Sequence, residues 1–137
     1  MIGVLIVTHG TLGDSLIHCA NHVLGGPQPF LEEMSVTIQD DPGEVFPRIR
    51  DKAKNLDQGD GVLILTDIYG ATPSNIACRL MEPGKVEGIA GVNLPMLIRA
   101  LTYRNEPLEA ATAKALSGGC GGIVHITSDA CHVEPGN

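Results

Sequence analysis

The stretch 2-IGVLIVTHG-10 begins as a nearly continuous apolar run, Ile2 to Val7, and ends with His9 and Gly10. A short, uninterrupted apolar run is typical of a strand that is buried on both faces of a parallel sheet. In an open α/β sheet, the carboxyl ends of such strands carry the ligand-binding and catalytic residues. The position of His9 therefore makes it the first candidate for a functional residue.

Strand-like and helix-like segments alternate along the rest of the chain. Further strands are predicted at Leu31 to Ile38, Val62 to Leu65 and Val86 to Val92. A first helix is predicted from the stripe Leu12, Leu16, Cys19, Ala20 and Val23, which stops at 25-GGP-27. This alternation predicts right-handed βαβ crossovers and a mainly parallel sheet with helices on both faces.

Four more helices follow from capping residues and periodicity. Asp41 is the predicted N-cap of a helix with Pro42 in its first turn and the core stripe Val45, Ile49, Ala53 and Leu56. Thr72 is the predicted cap of a helix that continues from Pro73 through Ile76, Leu80 and Met81. The last two helices are predicted at Pro95 to Tyr103 and Pro107 to Leu116.

The C-terminal part of the chain is rich in glycine. Residues 118-GGCGG-122 predict a flexible hinge before a last strand, Ile123 to Thr127. The predicted fold is thus an open, mainly parallel, doubly wound α/β sheet of about four strands plus a C-terminal edge strand. We expect one domain over residues 1–127 and a loose tail over residues 128–137, because 137 residues with 43% hydrophobic content provide one core.

Composition disfavours several classes of function. Nine basic residues against sixteen acidic ones, with 3% aromatic residues and no Trp, provide little for phosphate neutralisation or base stacking, so we expect no nucleic-acid binding. Neither a cleavable leader nor a membrane-spanning run is evident, which predicts a cytoplasmic protein. The scattered cysteines, Cys19, Cys78, Cys120 and Cys131, predict small buried side chains in a reducing compartment rather than disulfides or a zinc site.

The predicted strand Val62 to Leu65 is followed by Thr66 and Asp67. This order places Asp67 at the same edge of the sheet as His9. If the two strands are neighbours, the carboxylate can orient the imidazole, which is what a histidine needs in order to attack phosphorus with its other ring nitrogen. Helices begin just after Gly10 and near Thr72, and helix N-termini favour phosphate groups. Such a site supports phosphoryl transfer without a metal or another cofactor.

Three blocks of sequence carry a specific resemblance. The segments 5-LIVTHG-10, 65-LTDIYGATPSN-75 and 91-GVNLPML-97 resemble, in the same order, blocks of the mannose-type enzyme IIA family of the bacterial phosphoenolpyruvate-dependent sugar phosphotransferase system. The last block is the most specific of the three. The resemblance covers the site-bearing part of roughly the first 105 residues.

The resemblance implies a role for each matching residue. His9 would accept a phosphoryl group from the histidine-containing phosphocarrier protein and pass it to a IIB component for sugar uptake of the mannose, fructose or sorbose class. Asp67 would orient the ring, and the phosphate oxygens would be received by Gly10, Thr11, Gly70, Ala71 and Thr72. Members of the family are commonly homodimers, and the segment from Gly118 to Thr127 fits a terminal strand that is exchanged between subunits. The link to a membrane permease would run only through partners, and the sugar itself is not encoded in this chain.

The chain also departs from the family pattern. The loop commonly reads Gly-Gly-Ser-Pro-Phe-Asn, whereas this chain has 70-GATPSN-75. Ala71 reduces backbone freedom and Ser74 removes an apolar surface side chain, so we expect altered partner docking.

Other functions remain open from sequence. The chain could be a stand-alone regulatory module that a target reads by the phosphorylation state of His9. It could also be a histidine-dependent enzyme: a tetrapyrrole chelatase, with His125 as a weak second ligand, or a phosphohistidine phosphatase, which would have arginine where Thr8 stands. His18 and His22 have a spacing that could hold a metal, but helical geometry favours a solvent-exposed polar face.

Overall fold

A computed structural model describes residues 1–128 of the chain, which form four strands and five helices. The strands are β1 (Gly3–His9), β2 (Leu31–Val36), β3 (Val62–Thr66) and β4 (Val86–Ala90). The helices are α1 (Leu12–Leu24), α2 (Pro42–Leu56), α3 (Thr72–Cys78), α4 (Leu94–Thr102) and α5 (Leu108–Gly121). The predicted α/β class is confirmed.

The four strands form one parallel sheet in the order β2-β1-β3-β4. Because β1 and β3 occupy the centre, their residues are buried on both faces, as their continuous apolar runs predict. One apolar cluster joins the sheet to α1, α4 and α5, and a second joins the opposite face to α2 and α3. The sheet is therefore doubly wound, and all four strands end at the same edge.

Helix α2 follows the prediction closely. The carboxylate of Asp41 accepts a hydrogen bond from the N–H of Gly43 at 2.9 Å, and Pro42 occupies the first turn. The buried side chains of the helix are Val45, Ile49, Ala53 and Leu56. Capping, turn chemistry and periodicity agree here, and the helix continues through Pro47.

Several boundaries differ from the prediction. β2 ends at Val36, and Ile38 is 95% exposed because a turn closes between Thr37 and Asp40. β4 ends at Ala90 because Gly91 takes a positive φ of 93° and turns the chain back toward β3. α3 ends at Cys78, before the predicted Leu80 and Met81.

The predicted hinge and last strand are wrong for this structure. The glycines from Gly118 to Gly121 lie inside α5, and residues 123–127 have no regular structure. A Cβ at Gly118 would lie 2.8 Å from the Cβ of Arg99, and one at Gly119 would lie 2.7 Å from the Cε of Met96. These glycines are therefore sites of close packing between α5 and α4, and not points of flexibility.

The predicted burial of the cysteines is also wrong for the three within residues 1–128. Cys19 lies on the outward face of α1, Cys78 is the last residue of α3, and Cys120 lies near the end of α5; all three are exposed, free thiols. Cys131 lies outside the described residues. Along α1, Leu12 and Val23 share the exposed face with Cys19, and Ala20 is the one member of the predicted stripe that is fully buried.

None of the helices within residues 1–128 has both the length and the apolar character needed to cross a bilayer.

Candidate functional site

His9 and Asp67 meet at the carboxyl edge of the sheet. β1 and β3 are adjacent and parallel, and Val7 pairs with Thr66, so the residues that follow these two positions emerge side by side. The side chain of His9 is 44% exposed, whereas that of Asp67 is 9% exposed. The site thus presents an accessible imidazole that is supported by a largely buried carboxylate.

A single carboxylate oxygen contacts His9 twice. Oδ2 of Asp67 accepts a hydrogen bond from the backbone N–H of His9 at 2.9 Å and lies 2.8 Å from its ring nitrogen Nδ1. Oδ1 accepts from the N–H of Ile68 at 2.8 Å. Because an ionised carboxylate can only accept, the neutral imidazole carries its proton on Nδ1 and keeps its lone pair on Nε2. The arrangement selects the tautomer in which Nε2 is the nucleophilic atom.

The surroundings of Asp67 keep it ionised. Burial raises the pKa of this carboxyl, but hydrogen bonds from the backbone and the ring of His9 and from the N–H of Ile68, together with the charge of His9, outweigh burial. The pKa of Asp67 therefore lies below its ordinary value of 3.8. The carboxylate is consequently ionised at neutral pH and can balance positive charge on the imidazole.

The residues predicted to receive phosphate oxygens lie on the two loops that flank this pair. Gly10 has a positive φ of 54° and directs the chain from β1 into α1, with Thr11 as the N-terminal cap residue. Gly70, with a φ of 88°, precedes Ala71 and the start of α3, and its carbonyl accepts a hydrogen bond from the side chain of Asn75 at 3.0 Å. Both loops thus lie at the same edge of the sheet as His9.

Two details of the second loop differ from the prediction. The cap of α3 is Ala71, with extended backbone angles, and Thr72 is the first helical residue. The hydroxyl of Thr72 is exposed and caps no N–H group, so it remains available for another acceptor or ligand. Ser74 is not a surface position, because it is 3% exposed and packs inside the first turn of α3.

Thr8 contributes to the site through its contact with the start of α1. Its hydroxyl is fully buried and accepts a hydrogen bond from the N–H of Gly13, in the first turn of α1, at 2.8 Å. Gly13 allows this close approach, since a Cβ there would lie 3.0 Å from the Thr8 oxygen. Thr8 therefore fixes the start of α1 relative to His9. Its signal in the sequence was a polar residue within an apolar strand.

The block 91-GVNLPML-97 supports the site from the side. The N–H of Gly91 donates to the carbonyl of Asp67 at 2.8 Å, and the N–H of Val92 donates to that of Thr66 at 2.9 Å. The side chain of Asn93 accepts from the N–H of Met96 at 2.9 Å and donates to the carbonyl of Gly119 at 3.0 Å. The block thus holds the end of β3 and begins α4.

The candidate metal ligands do not converge. His18 and His22 are exposed on α1, and His125 is exposed beyond α5. Among residues 1–128, no group of three or more His, Cys, Asp or Glu side chains could hold a metal ion.

Comparisons with known proteins point to one family. The family model EIIA-man, described as "PTS system fructose IIA component", matches residues 3–116. The chain is 34% identical over 110 residues to the mannose-specific EIIAB component of Escherichia coli, a match that covers 77% of this chain and 32% of that protein. It is 30% identical over 109 residues to the fructose-specific EIIA component of Bacillus subtilis, covering 76% of this chain and 71% of that protein.

A solved structure agrees with the sequence relatives. The phosphotransferase-system EIIA component of Streptococcus agalactiae superimposes with a TM-score of 0.80 at 25% identity, covering 91% of this chain and 97% of that chain. The chain spans about a third of the length of the E. coli relative. The shared part contains the site described above, since the family match includes both His9 and Asp67.

Proposed function

Because this chain belongs to the EIIA-man family of the sugar phosphotransferase system, we propose that it carries a phosphoryl group on His9. The donor is the histidine-containing phosphocarrier protein, and the acceptor is a IIB component that serves uptake of a sugar of the mannose, fructose or sorbose class. In this role the chain is a transferase component that relays a group between proteins and alone converts no small molecule.

The observation that carries this proposal is the 2.8 Å contact between Asp67 Oδ2 and Nδ1 of His9, beneath an exposed ring. With the proton held on Nδ1, Nε2 attacks the phosphorus of the donor phosphohistidine. A new P–N bond forms at Nε2 as the P–N bond to the donor imidazole breaks, and the electron pair of that bond returns to the donor ring. The His9 ring gains positive charge in this step, and the ionised Asp67 stabilises it.

The same arrangement allows the reverse step toward a IIB component. A nucleophile of that partner attacks the phosphorus, the bond to Nε2 breaks, and His9 returns to the neutral tautomer that Asp67 favours. Phosphoryl transfer needs mainly positioning and charge stabilisation, which the His9–Asp67 pair supplies.

We assign the phosphate oxygens to the two flanking loops. Backbone N–H groups at the start of α1, around Gly10 and Thr11, and around Gly70 and Ala71 are suited to accept negative charge. The exposed hydroxyl of Thr72 is a further donor. These assignments rest on the loop positions and on the absence of any capping role for that hydroxyl in the described part of the chain.

We also propose that the chain forms a homodimer. Two features support this arrangement: the outer edge of β4 pairs with no other strand within residues 1–128, and Ile123, Val124 and Ile126 are strongly exposed. An open sheet edge and an exposed apolar segment each favour association with another chain. Exchange of residues 123–127 between two copies would cover both, and removal of those residues should shift the mass in light scattering from dimer to monomer.

Phosphorylation can be tested directly. The chain is incubated with phosphoenolpyruvate, the general phosphotransferase enzyme and the histidine phosphocarrier, and its intact mass is then measured before and after acid treatment. We expect an acid-labile gain of one phosphoryl group that is absent in His9→Ala. His18→Ala is the matched control, since His18 is an exposed histidine on α1, and it should be labelled like the wild type.

Normal labelling of His9→Ala would overturn the proposal. Addition of a IIB protein to the purified phosphorylated chain then separates transport from regulation. Loss of the label to IIB supports the relay, whereas retention of the label in the presence of every IIB protein tested would favour a regulatory module.

A further inference from the structure

A cavity of about 150 Å³, open to solvent on the side of the exposed Tyr69 and Cys78, lies between α3 and the edge strand β4, beneath the loop that carries Asp67. Its walls are mainly apolar and include Ile64, Ala77, Met81 and Ile89. No charged side chain lines it among the described residues. The cavity is separate from the imidazole of His9, and the proposed phosphoryl relay does not use it.

Two hydroxyl groups line this cavity. Thr66 and Ser74 are each only 3% exposed, and neither hydroxyl makes a hydrogen bond to another group within residues 1–128. Neither hydroxyl oxygen is among the fully buried, unpaired polar atoms of residues 1–128, so both remain accessible to a small molecule. The two groups are consequently able to bond to a molecule that enters the cavity.

Met81 shapes one wall because position 88 carries no side chain. A Cβ at Gly88 would lie 2.9 Å from the sulfur of Met81 and 3.0 Å from its methyl carbon, so the glycine lets this side chain lie against β4. A thioether makes favourable contacts with aromatic rings and adapts to their shape. The wall formed by Met81 therefore suits an aromatic occupant.

We propose that this cavity binds one small neutral aromatic molecule that carries a hydroxyl group, with the chemistry of phenol. Apolar cavities of about 150 Å³ hold a single six-membered ring. The apolar walls and the lack of lining charges disfavour sugar phosphates and other anions, while Thr66 and Ser74 provide hydrogen bonds for one polar substituent. The proposal concerns binding and stands independently of the phosphoryl relay.

The cavity is connected to the site through the chain. Thr66 immediately precedes Asp67, and Tyr69, which also lines the cavity, follows on the same loop. An occupant consequently contacts residues on both sides of the carboxylate that orients His9.

The test uses the full chain with isotope-labelled methyl groups and phenol as the probe, followed by NMR. We expect saturable shifts at the methyl groups of Ile64, Ala77, Met81 and Ile89, and weaker binding of benzene by about three- to tenfold, the factor that corresponds to one hydrogen bond. If phenol causes no saturable shifts at these methyl groups, the proposal is wrong.

Three variants sharpen the test. Ser74→Phe places a ring in the cavity and should abolish phenol binding, whereas Ser117→Phe, at an exposed serine on α5, should leave it unchanged. Thr66→Val removes a hydroxyl at nearly constant volume and should lower the affinity for phenol while leaving that for benzene unchanged. If Ser74→Phe folds and still binds phenol, the proposed site is wrong. If Ser74→Phe does not fold, an equal loss of affinity for phenol and benzene in Thr66→Val contradicts the proposal.

Discussion

Oδ2 of Asp67 lies 2.9 Å from the backbone nitrogen of His9 and 2.8 Å from Nδ1 of the same residue. One oxygen thus fixes both the end of β1 and the orientation of the imidazole. The second oxygen is held by the N–H of Ile68, so the carboxylate itself has little freedom to rotate. The orientation of the nucleophile is therefore built into the junction of two central strands.

Asp67→Asn should slow phosphorylation of His9 by about ten- to hundredfold. A hydrogen bond to a charged group contributes about 1.5–3 kcal/mol, and this range corresponds to such a loss in rate when the bond supports the transition state. The measurement is single-turnover transfer from the phosphorylated histidine phosphocarrier. Asp51→Asn, which changes an exposed carboxylate on α2, is the control. An unchanged transfer rate in folded Asp67→Asn would remove this residue from the mechanism.

Asp67 should also make the stability of the fold depend on pH. Its pKa is lowered in the folded chain from the ordinary value of 3.8, so its stabilising contribution is complete above that pH and is lost as the pH falls through the lower folded value. Urea unfolding at pH 7, 4 and 3 should show that the difference in unfolding free energy between the wild type and Asp67→Asn narrows in the acid range. If this difference in unfolding free energy stays constant down to pH 3, the Asp67 carboxylate does not lose a stabilising contribution in acid, and the inference is wrong.

The sequence predicted those parts of the fold in which several local signals agree. The central strands have continuous apolar runs, and α2 has a cap, a proline in the first turn and a regular stripe. His9 and Asp67 could be identified as strand-end residues. Their contact depended on β1 and β3 being neighbours, which is a property of the sheet order β2-β1-β3-β4 and not of either segment.

The failed prediction of a hinge has a tertiary cause, because packing between helices overrode local preference. The glycines at 118 and 119 have low helix propensity and so predicted a hinge, but Arg99 and Met96 pack directly against them and stabilise the helix. Thr72 is a better cap than Ala71, yet the chain places Ala71 at the cap position. The cavity beside Ser74 could not be predicted, since its walls come from α3, β3 and β4 together.

Thr8 provides a test of how the start of α1 is positioned. Thr8→Val keeps the shape of the side chain but removes the acceptor for the N–H of Gly13, so we expect a loss of about 1–2 kcal/mol in unfolding free energy. Phosphorylation of His9 should also slow several-fold. The start of α1, with the proposed phosphate-binding N–H groups around Gly10 and Thr11, would be held less firmly next to His9. Thr8→Ser keeps the hydroxyl and should restore most of the rate. Equal rates for Thr8→Val and Thr8→Ser would assign Thr8 to packing alone.

Arg104 allows effects on stability to be tested separately from effects on the functional site, because it lies at the opposite edge of the sheet from His9. Its side chain is 3% exposed, and the guanidinium donates hydrogen bonds to the carbonyls of Ile2, Pro29 and Phe30 at distances of 2.5–3.3 Å. Phe30 is the one non-glycine residue within residues 1–128 that has a positive φ, 51°, so the guanidinium also stabilises an unfavourable turn before β2.

Arg104→Met should lower the unfolding free energy by about 3 kcal/mol, since it removes the charged donor that bonds to the carbonyls of Ile2, Pro29 and Phe30. Arg48→Met, at an exposed arginine on α2, is the control and should change stability by less than about 0.5 kcal/mol. Urea titration gives both values, and phosphorylation below the unfolding transition should proceed at the wild-type rate in each variant. If folded Arg104→Met is phosphorylated more slowly than the wild type, the amino edge of the sheet is coupled to His9. Arg104 would then affect the functional site as well as stability.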